Sequence, residues 1–196
     1  AAGEAGGRRP SLTPGFVEKT LENGSAAHPN PDEPPATVRN VPIPDFIVAL
    51  RQKIGTELLW LPGVTAVVRR DDENLLVQRA DNLRWTPITG IVDPGEQPAT
   101  AAVREAKEET GVDIVVDRLA SAGATSPIVY PNGDRAVYMD LTFSCTWRSG
   151  EAYVADDESA DVGWFRVDEL PEMPPELRAR IDAALSDETE ARFVAP

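Results

Sequence analysis

The chain has little of what metal centres, covalent catalysts and nucleic-acid binders are usually built from. Its 196 residues include one cysteine and one histidine. A lone Cys145 excludes an intramolecular disulfide, and its place in an alternating stretch reads as a small core or sheet-face residue rather than a nucleophile. The one histidine, His28, lies in a proline-rich segment. That excludes zinc sites built on several histidines and argues against a Ser–His–Asp triad, so acid–base chemistry falls mainly to carboxylates. Basic residues are scarce as well: 19 Lys and Arg stand against 33 Asp and Glu, a net charge of −14. Such a balance repels phosphate backbones and argues against a nucleic-acid binder driven by basic patches. A small phosphate substrate stays open, because a bound divalent cation inverts the local field. No apolar run approaches the roughly 18–20 residues of a membrane helix. The opening AAGEAGGRRP lacks the apolar stretch of a signal peptide. The expectations are therefore no membrane, no nucleic-acid partner and a cytoplasmic location.

Eight of the 18 prolines fall in the first 44 residues. Residues 1–43 read as a disordered or extended arm with too little apolar surface to build a core. Within it, PGFVEKTLEN at 14–23 reads either as part of that tail or as a helical turn that docks on a partner. Residues 44–196 read as one domain. A helix is expected at 44–55, with Phe46, Ile47, Leu50 and Ile54 on one face and Gly55 as its stop. Strands are expected at 63–70 and 74–79, joined by Asp71-Asp72-Glu73, followed by a loop around Trp85. A helix at roughly 98–110 has Pro98 in its first turn and Gly111 at its end. Next come a strand at 113–123, a hairpin of 126–130 and 135–147 around Pro131-Asn132-Gly133, and a strand at 161–167. A last helix at 176–185 follows Pro174-Pro175. Strands dominate without strict βαβ alternation, so the class is α+β with a mixed-sheet sandwich.

The chemistry sits in GIVDPGEQPATAAVREAKEETGV, residues 90–112. Glu105, Glu108 and Glu109 are spaced i, i+3, i+4 and lie within roughly 60° of one another on the helix. Three like charges on one stripe destabilise a helix, so something positive should compensate. Oxygen-only ligands point to a hard cation such as Mg²⁺ or Mn²⁺. Small residues on the opposite side (Ala99, Ala102, Val103 and Ala106) would let the helix approach a sheet closely. Gly90, Pro94 and Gly95 build the tight loop before it. Arg104 is placed to hold one carboxylate in a single rotamer, and Glu96 to tie the loop back to the helix. REAKEETG alone would read as an ordinary solvated helix surface.

With its flanks, however, this stretch resembles the Nudix box, G-x5-E-x7-R-E-U-x-E-E-x-G-U, where U is apolar. Gly90, Glu96, Arg104, Glu105, Ala106, Glu108, Glu109, Gly111 and Val112 occupy every specified position, with Ala106 a small choice for its apolar place. The resemblance covers roughly residues 60–186. It implies a Nudix-type α/β/α sandwich and a Mg²⁺-dependent attack by water on a nucleoside diphosphate linked to another moiety, such as ADP-ribose or a nucleotide sugar. Glu105, Glu108 and Glu109 would be metal ligands, with Glu105 and Glu109 foremost and a backbone carbonyl at Thr89 or Gly90 completing the shell. Arg104 would belong to the catalytic set. Such families often draw a further carboxylate from a facing loop. Glu158, in the acidic turn with Asp156 and Asp157, is the candidate ligand or general base, the alternative being a solvated turn.

Substrate identity is written less clearly. Trp85 would either stack on a base or plug the core. Pro127 is reminiscent of the ADP-ribose-cleaving subgroup and Tyr130 of dinucleoside polyphosphate hydrolysis, and the two hints compete. The rival readings are a house-cleaning pyrophosphatase of damaged nucleoside triphosphates and a non-catalytic nucleotide-sensing domain. A homodimer, with the arm or the 44–55 helix at its interface, is a further expectation.

Overall fold

The computed structural model describes residues 43–195. The arm at 1–43 and the segment 14–23 therefore lie outside the described residues, apart from Ile43. Three α-helices are described: α1 (Asp45–Ile54), α2 (Pro98–Thr110) and α3 (Pro175–Leu185). Eight strands make one mixed sheet: β1 (Leu58–Arg70), β2 (Glu73–Arg79), β3 (Trp85–Thr86), β4 (Ile88–Ile91), β5 (Asp113–Ala124), β6 (Ile128–Val129), β7 (Arg135–Ser149) and β8 (Ser159–Arg166). The class is the α+β sandwich expected.

Strand β1 organises the sheet. It runs parallel to β7 from Leu58 to Arg69 and antiparallel to β4 from Gly63 to Ala66. At its far end it turns at Asp71, in a left-handed conformation (φ 54°), into β2. Beyond that turn β2 leaves β1 and pairs with β8 and β3. The period-2 alternation of β1 divides its side chains between two layers. Val64, Ala66 and Val68 join Leu75, Val77 and Ile88 against α2, while Val67 joins Leu76 against α3. Leu59 and Leu61 meet Ile47 of α1.

Helix α2 has Pro98 in its first turn and ends on Gly111, left-handed at φ 72°. Its seat is made by Ala101, Ala102 and Ala106, all fully buried. This corrects one detail, since Val103 is exposed and Ala101 takes its place beneath the helix. Helix α3 is fixed by a buried polar network on the opposite face. Thr65 Oγ1 donates to Asp140 Oδ1 at 2.8 Å and Thr142 Oγ1 to Asp140 Oδ2 at 2.8 Å. Arg180 of α3 donates to Thr65 Oγ1 at 2.9 Å and pairs with Asp140 Oδ1 at 3.1 Å. Arg118 of β5 donates to the carbonyls of Ala183 and Ser186, both at 2.9 Å, and so closes the C-terminal end of α3.

Three further expectations are corrected. The first strand starts at Leu58, because Pro62 is accommodated by the β1–β7 pairing instead of breaking it. Trp85 lies in a short strand rather than a loop. On α1 only Ile47 is fully buried, while Leu50 and Ile54 are exposed. Cys145 is buried as expected, and burial pushes its thiol up to about 12, which leaves it inert.

Arg180→Ala would strand the buried Asp140 carboxylate without its cation. Such a loss costs about 3 kcal/mol, to be read as a lowered midpoint in urea unfolding. An unchanged midpoint would remove this network from the account of α3 docking.

Candidate active site

Gly90 and Glu105 meet first. Gly90 sits opposite Val64 in the β4–β1 ladder, on the face that α2 covers. A Cβ at Gly90 would stand 2.0 Å from Glu105 Cδ and 2.1 Å from its Oε1. The glycine is therefore needed for close approach: only hydrogen leaves room for that carboxylate.

Arg104 locks the arrangement from the side. Its Nε and Nη2 grip Glu96 in a fork at 3.0 and 2.9 Å, and Nη2 also reaches the Ile91 carbonyl at 3.1 Å. Its Nη1 donates to Glu105 at 2.8 Å and to Glu108 at 3.0 Å. These five bonds commit all five N–H groups of the guanidinium. The same contact holds the Glu96 carboxyl below the usual range, and Glu96 accepts the Asp93 N–H as well. Loop and helix are thus joined as the spacing suggested.

Glu109 lies deeper, at 5% exposure. No hydrogen bond or ion pair among the described residues reaches its carboxylate. Burial, and then the charges of Glu105, Asp156 and Glu158, drive its pKa well above the usual carboxylate value. Glu105 is pushed up to about 7, by burial first and against the pull of Arg104. Glu158 is also pushed up to about 7, by burial and by Asp156.

Glu158 is brought in by the loop after β7. The Ala155 N–H donates to the Glu109 carbonyl and the Tyr153 N–H to that of Thr110, both at 3.1 Å, so the loop satisfies the open end of α2. The Tyr153 ring fills the space where a Cβ of Gly111 would be. Asp156 accepts the N–H groups of Glu158 at 3.0 Å and Ser159 at 3.2 Å, and the Ala80 N–H donates to the Glu158 carbonyl at 2.8 Å. Tied at the helix and just beyond β2, the turn holds Glu158 close enough to Glu109 and Glu105 for its charge to bear on both.

The charges of Glu105, Glu109 and Glu158 thus bear on one another, while Glu108 stands on the rim with its side chain 55% exposed. Trp85 goes elsewhere. It pairs with Gln78, on the face opposite Val77, and packs edge-to-face on Phe165 at 4.7 Å in the layer beneath α3. Its surroundings are those of a packing residue. Tyr130 shares a hydroxyl–hydroxyl hydrogen bond of 2.7 Å with Tyr138, beside α1. One residue missed in the sequence is Arg79, whose charge bears on Glu109, Glu158 and both tyrosines.

The donor set is oxygen only, partly desolvated and short of positive charge, which fits a hard divalent ion. Among the described residues no three carboxylates are drawn tightly enough to enclose an ion unaided. A hard divalent ion held here would take one or two of these carboxylates and complete its shell with water and substrate phosphate.

Residues 59–187 match the family model for the NUDIX domain, and the chain belongs to the Nudix hydrolase family. Over 113 residues it is 36% identical to a MutT-like protein of Streptomyces ambofaciens, covering 58% of this chain and 68% of that one. Over 116 residues it is 33% identical to the NAD-capped RNA hydrolase NudC of Pectobacterium carotovorum subsp. carotovorum (strain PC1), covering 58% of this chain and 42% of NudC. The match thus spans less than half of that relative. A solved Nudix hydrolase from Nitrosomonas europaea superposes with a TM-score of 0.53 at 25% identity, over 64% of this chain and 88% of that one. Nudix hydrolases generally use divalent metals and act on nucleotide compounds. Among the described residues no helix is long and apolar enough to cross a membrane.

The raised carboxylates set a pH dependence in the absence of metal. Each folded pKa lies above its unfolded value, so the folded state binds more protons between them. Stability of the metal-free chain should therefore fall as pH rises from about 4.5 towards 7, the interval that Glu105 and Glu158 span. Melting temperatures in EDTA across this range should show the decline, and Glu109→Gln should flatten it. An equal slope in that variant would mean that Glu109 is not a buried, uncompensated charge.

Gly90→Ala tests the close approach. The added methyl must displace Glu105, and turnover should fall about 100-fold with the melting temperature nearly kept. Unimpaired turnover would show that Glu105 need not sit against this backbone.

Proposed function

We propose that the chain uses Mg²⁺, or Mn²⁺ in its place, to hydrolyse the diphosphate bond of a nucleoside diphosphate linked to another moiety, of the ADP-ribose or nucleotide-sugar kind. The observation that carries this reading is a Glu109 carboxylate buried with no hydrogen-bond or ion-pair partner among the described residues, one helical turn from the Glu105 that lies against Gly90. A relative named for NAD-capped RNA supports it, since NAD is itself two nucleotides joined through a diphosphate. For the same reason the expectation of no nucleic-acid partner is not carried further.

A divalent ion bound here would neutralise the diphosphate and lower the pKa of an attacking water. Glu105 and Glu109 would hold it, with Glu108 and a carbonyl of Thr89 or Gly90 at the margin. Arg104, itself held by Glu96, keeps Glu105 in one rotamer so that little reorganisation is left for the reaction. Glu158, whose carboxyl burial and Asp156 push up in the metal-free chain, is suited to take the proton that the water gives up. The tethers through Ala155 and Ala80 keep it over the helix.

A Mg²⁺-dependent screen of ADP-ribose, UDP-glucose, NADH, NAD-capped RNA, dinucleoside polyphosphates and oxidised nucleoside triphosphates tests the reading. Cleavage of ADP-ribose to AMP and ribose phosphate, or the matching products from another diphosphate, is expected. Release of pyrophosphate from triphosphates alone would favour the house-cleaning reading, and binding without turnover the sensing one. Glu109→Gln should keep the fold and lower kcat by about three orders of magnitude or more. Near-normal turnover in that variant would remove Glu109 from the metal site.

A further inference from the structure

Between the end of β7 at Ser149 and the start of β8 at Ser159 the chain belongs to no strand or helix. Its downstream half is fixed by its own turn and by the far side of the site. Asp156 accepts the Glu158 and Ser159 N–H groups, and the Glu158 carbonyl accepts the Ala80 N–H. The upstream half has no strand to pair with. It lies instead across the C-terminal end of α2.

Three contacts make that seam. The carbonyls of Thr110 and Glu109, left open by the helix, accept the Tyr153 and Ala155 N–H groups at 3.1 Å each. Ala152 packs on the apolar layer beneath α2. The Tyr153 ring closes over Gly111, so near that a Cβ there would stand 2.8 Å from both Cδ1 and Cζ, and closer still to Cε1. Hydrogen bonds at an exposed helix end compete with water and open readily. An aromatic ring laid on the adjoining residue keeps water from that end. Tyr153 is otherwise 60% exposed, and its hydroxyl enters no hydrogen bond among the described residues. The contact is therefore made by the ring, with no part for the hydroxyl.

The seam bears directly on the site. The carbonyl that Ala155 engages belongs to Glu109, the residue whose carboxylate is buried in the acid centre. Glu158 follows Ala155 by three residues, so that anchor sets where the turn starts. Without it, Glu158 would be held from the Ala80 side alone. We propose that Tyr153 is a positioning residue for Glu158: its ring, packed on Gly111, holds the segment before the turn on the end of α2 and so fixes Glu158 relative to Glu109. The assignment rests on the reading of Glu158 as proton acceptor, and it extends the working parts of the site to a residue outside 90–112 that touches neither metal nor substrate.

Two measurements on the full chain test it. Hydrogen–deuterium exchange of the metal-free protein, read on peptides covering 150–158, should be about tenfold faster or more in Tyr153→Ala. Peptides from α2 before its last turn should be unchanged, and Tyr153→Phe, which keeps the ring, should restore the protection. On the best substrate of the screen, Tyr153→Ala should lower kcat about tenfold with KM nearly kept, and Tyr153→Phe should recover most of the loss. Glu158→Gln alone should lower kcat about 100-fold or more. Adding Tyr153→Ala to that variant should cost little further, because the ring acts through Glu158. Unchanged exchange in Tyr153→Ala overturns the assignment, and so does faster exchange along the whole of α2, which would make the ring a support of the helix in general. A full further loss on top of Glu158→Gln overturns it, as does a raised KM at constant kcat, which would place the ring against substrate. Near-normal turnover in Glu158→Gln overturns it at the reading it rests on. A chain that hydrolyses nothing in the screen sinks the proposed function, and exchange alone then judges Tyr153.

Discussion

Negative charge kept where water cannot fully solvate it is the constraint on which this structure turns. Burying a carboxylate costs several kcal/mol unless something offsets it, and α2 carries two on the side that meets the rest of the protein. Small residues make this possible. Ala101, Ala102 and Ala106 seat the helix close to β1, β4 and β5, and Gly90 gives up its side chain so that Glu105 can lie against backbone. Larger residues beneath α2 would lift the acidic stripe away from β4 and into solvent, where its charge would be screened and its geometry loose.

The cost is managed unevenly, and the unevenness separates the roles. Glu96 and Glu108 are satisfied by Arg104, so the Arg104 fork is a fixture of the loop–helix unit. Glu105 shares that cation but stays mostly desolvated, and Glu109 gains no such partner among the described residues. Stability for this arrangement comes from elsewhere. The opposite face of the sheet is secured by Arg180, Asp140, Thr65 and Thr142, and by Arg118 at the end of α3. Chemistry on one face is supported by polar packing on the other.

How much of this was legible in the sequence depended on range. Helix α2 was readable because Pro98, Gly111 and the glutamate spacing are local signals, and local geometry alone puts Glu105 and Glu109 on one stripe. The neighbour beneath that helix was misjudged: Val103 looked apolar enough to be buried, but rotation around the helix turns it to solvent and brings Ala101 in. Pro62 hid the start of β1, since a proline reads as a break until a parallel partner is known. Trp85 seemed a loop residue because β3 is too short to show alternation. Arg79 carried no local signal at all. Its neighbours depend on pairing with β8, eighty residues further along the chain, and on a tethered loop that only the tertiary structure brings near.

That long-range placement sets one arginine beside an acidic centre. Without a ligand, its charge lies among Glu109, Glu158 and the tyrosine hydroxyls, where it offsets part of the carboxylates' repulsion. A divalent ion in the same centre would neutralise those carboxylates far more effectively, because it brings two charges at closer range. Asp81 holds Arg79 independently of that change. It lies on the edge of the guanidinium away from the free N–H groups, so it fixes the plane without competing for Nη1. An arginine held only by Glu109 and Glu158 would follow them into the metal site. One held by its own carboxylate, two residues along the chain, keeps its place whichever ion the centre contains.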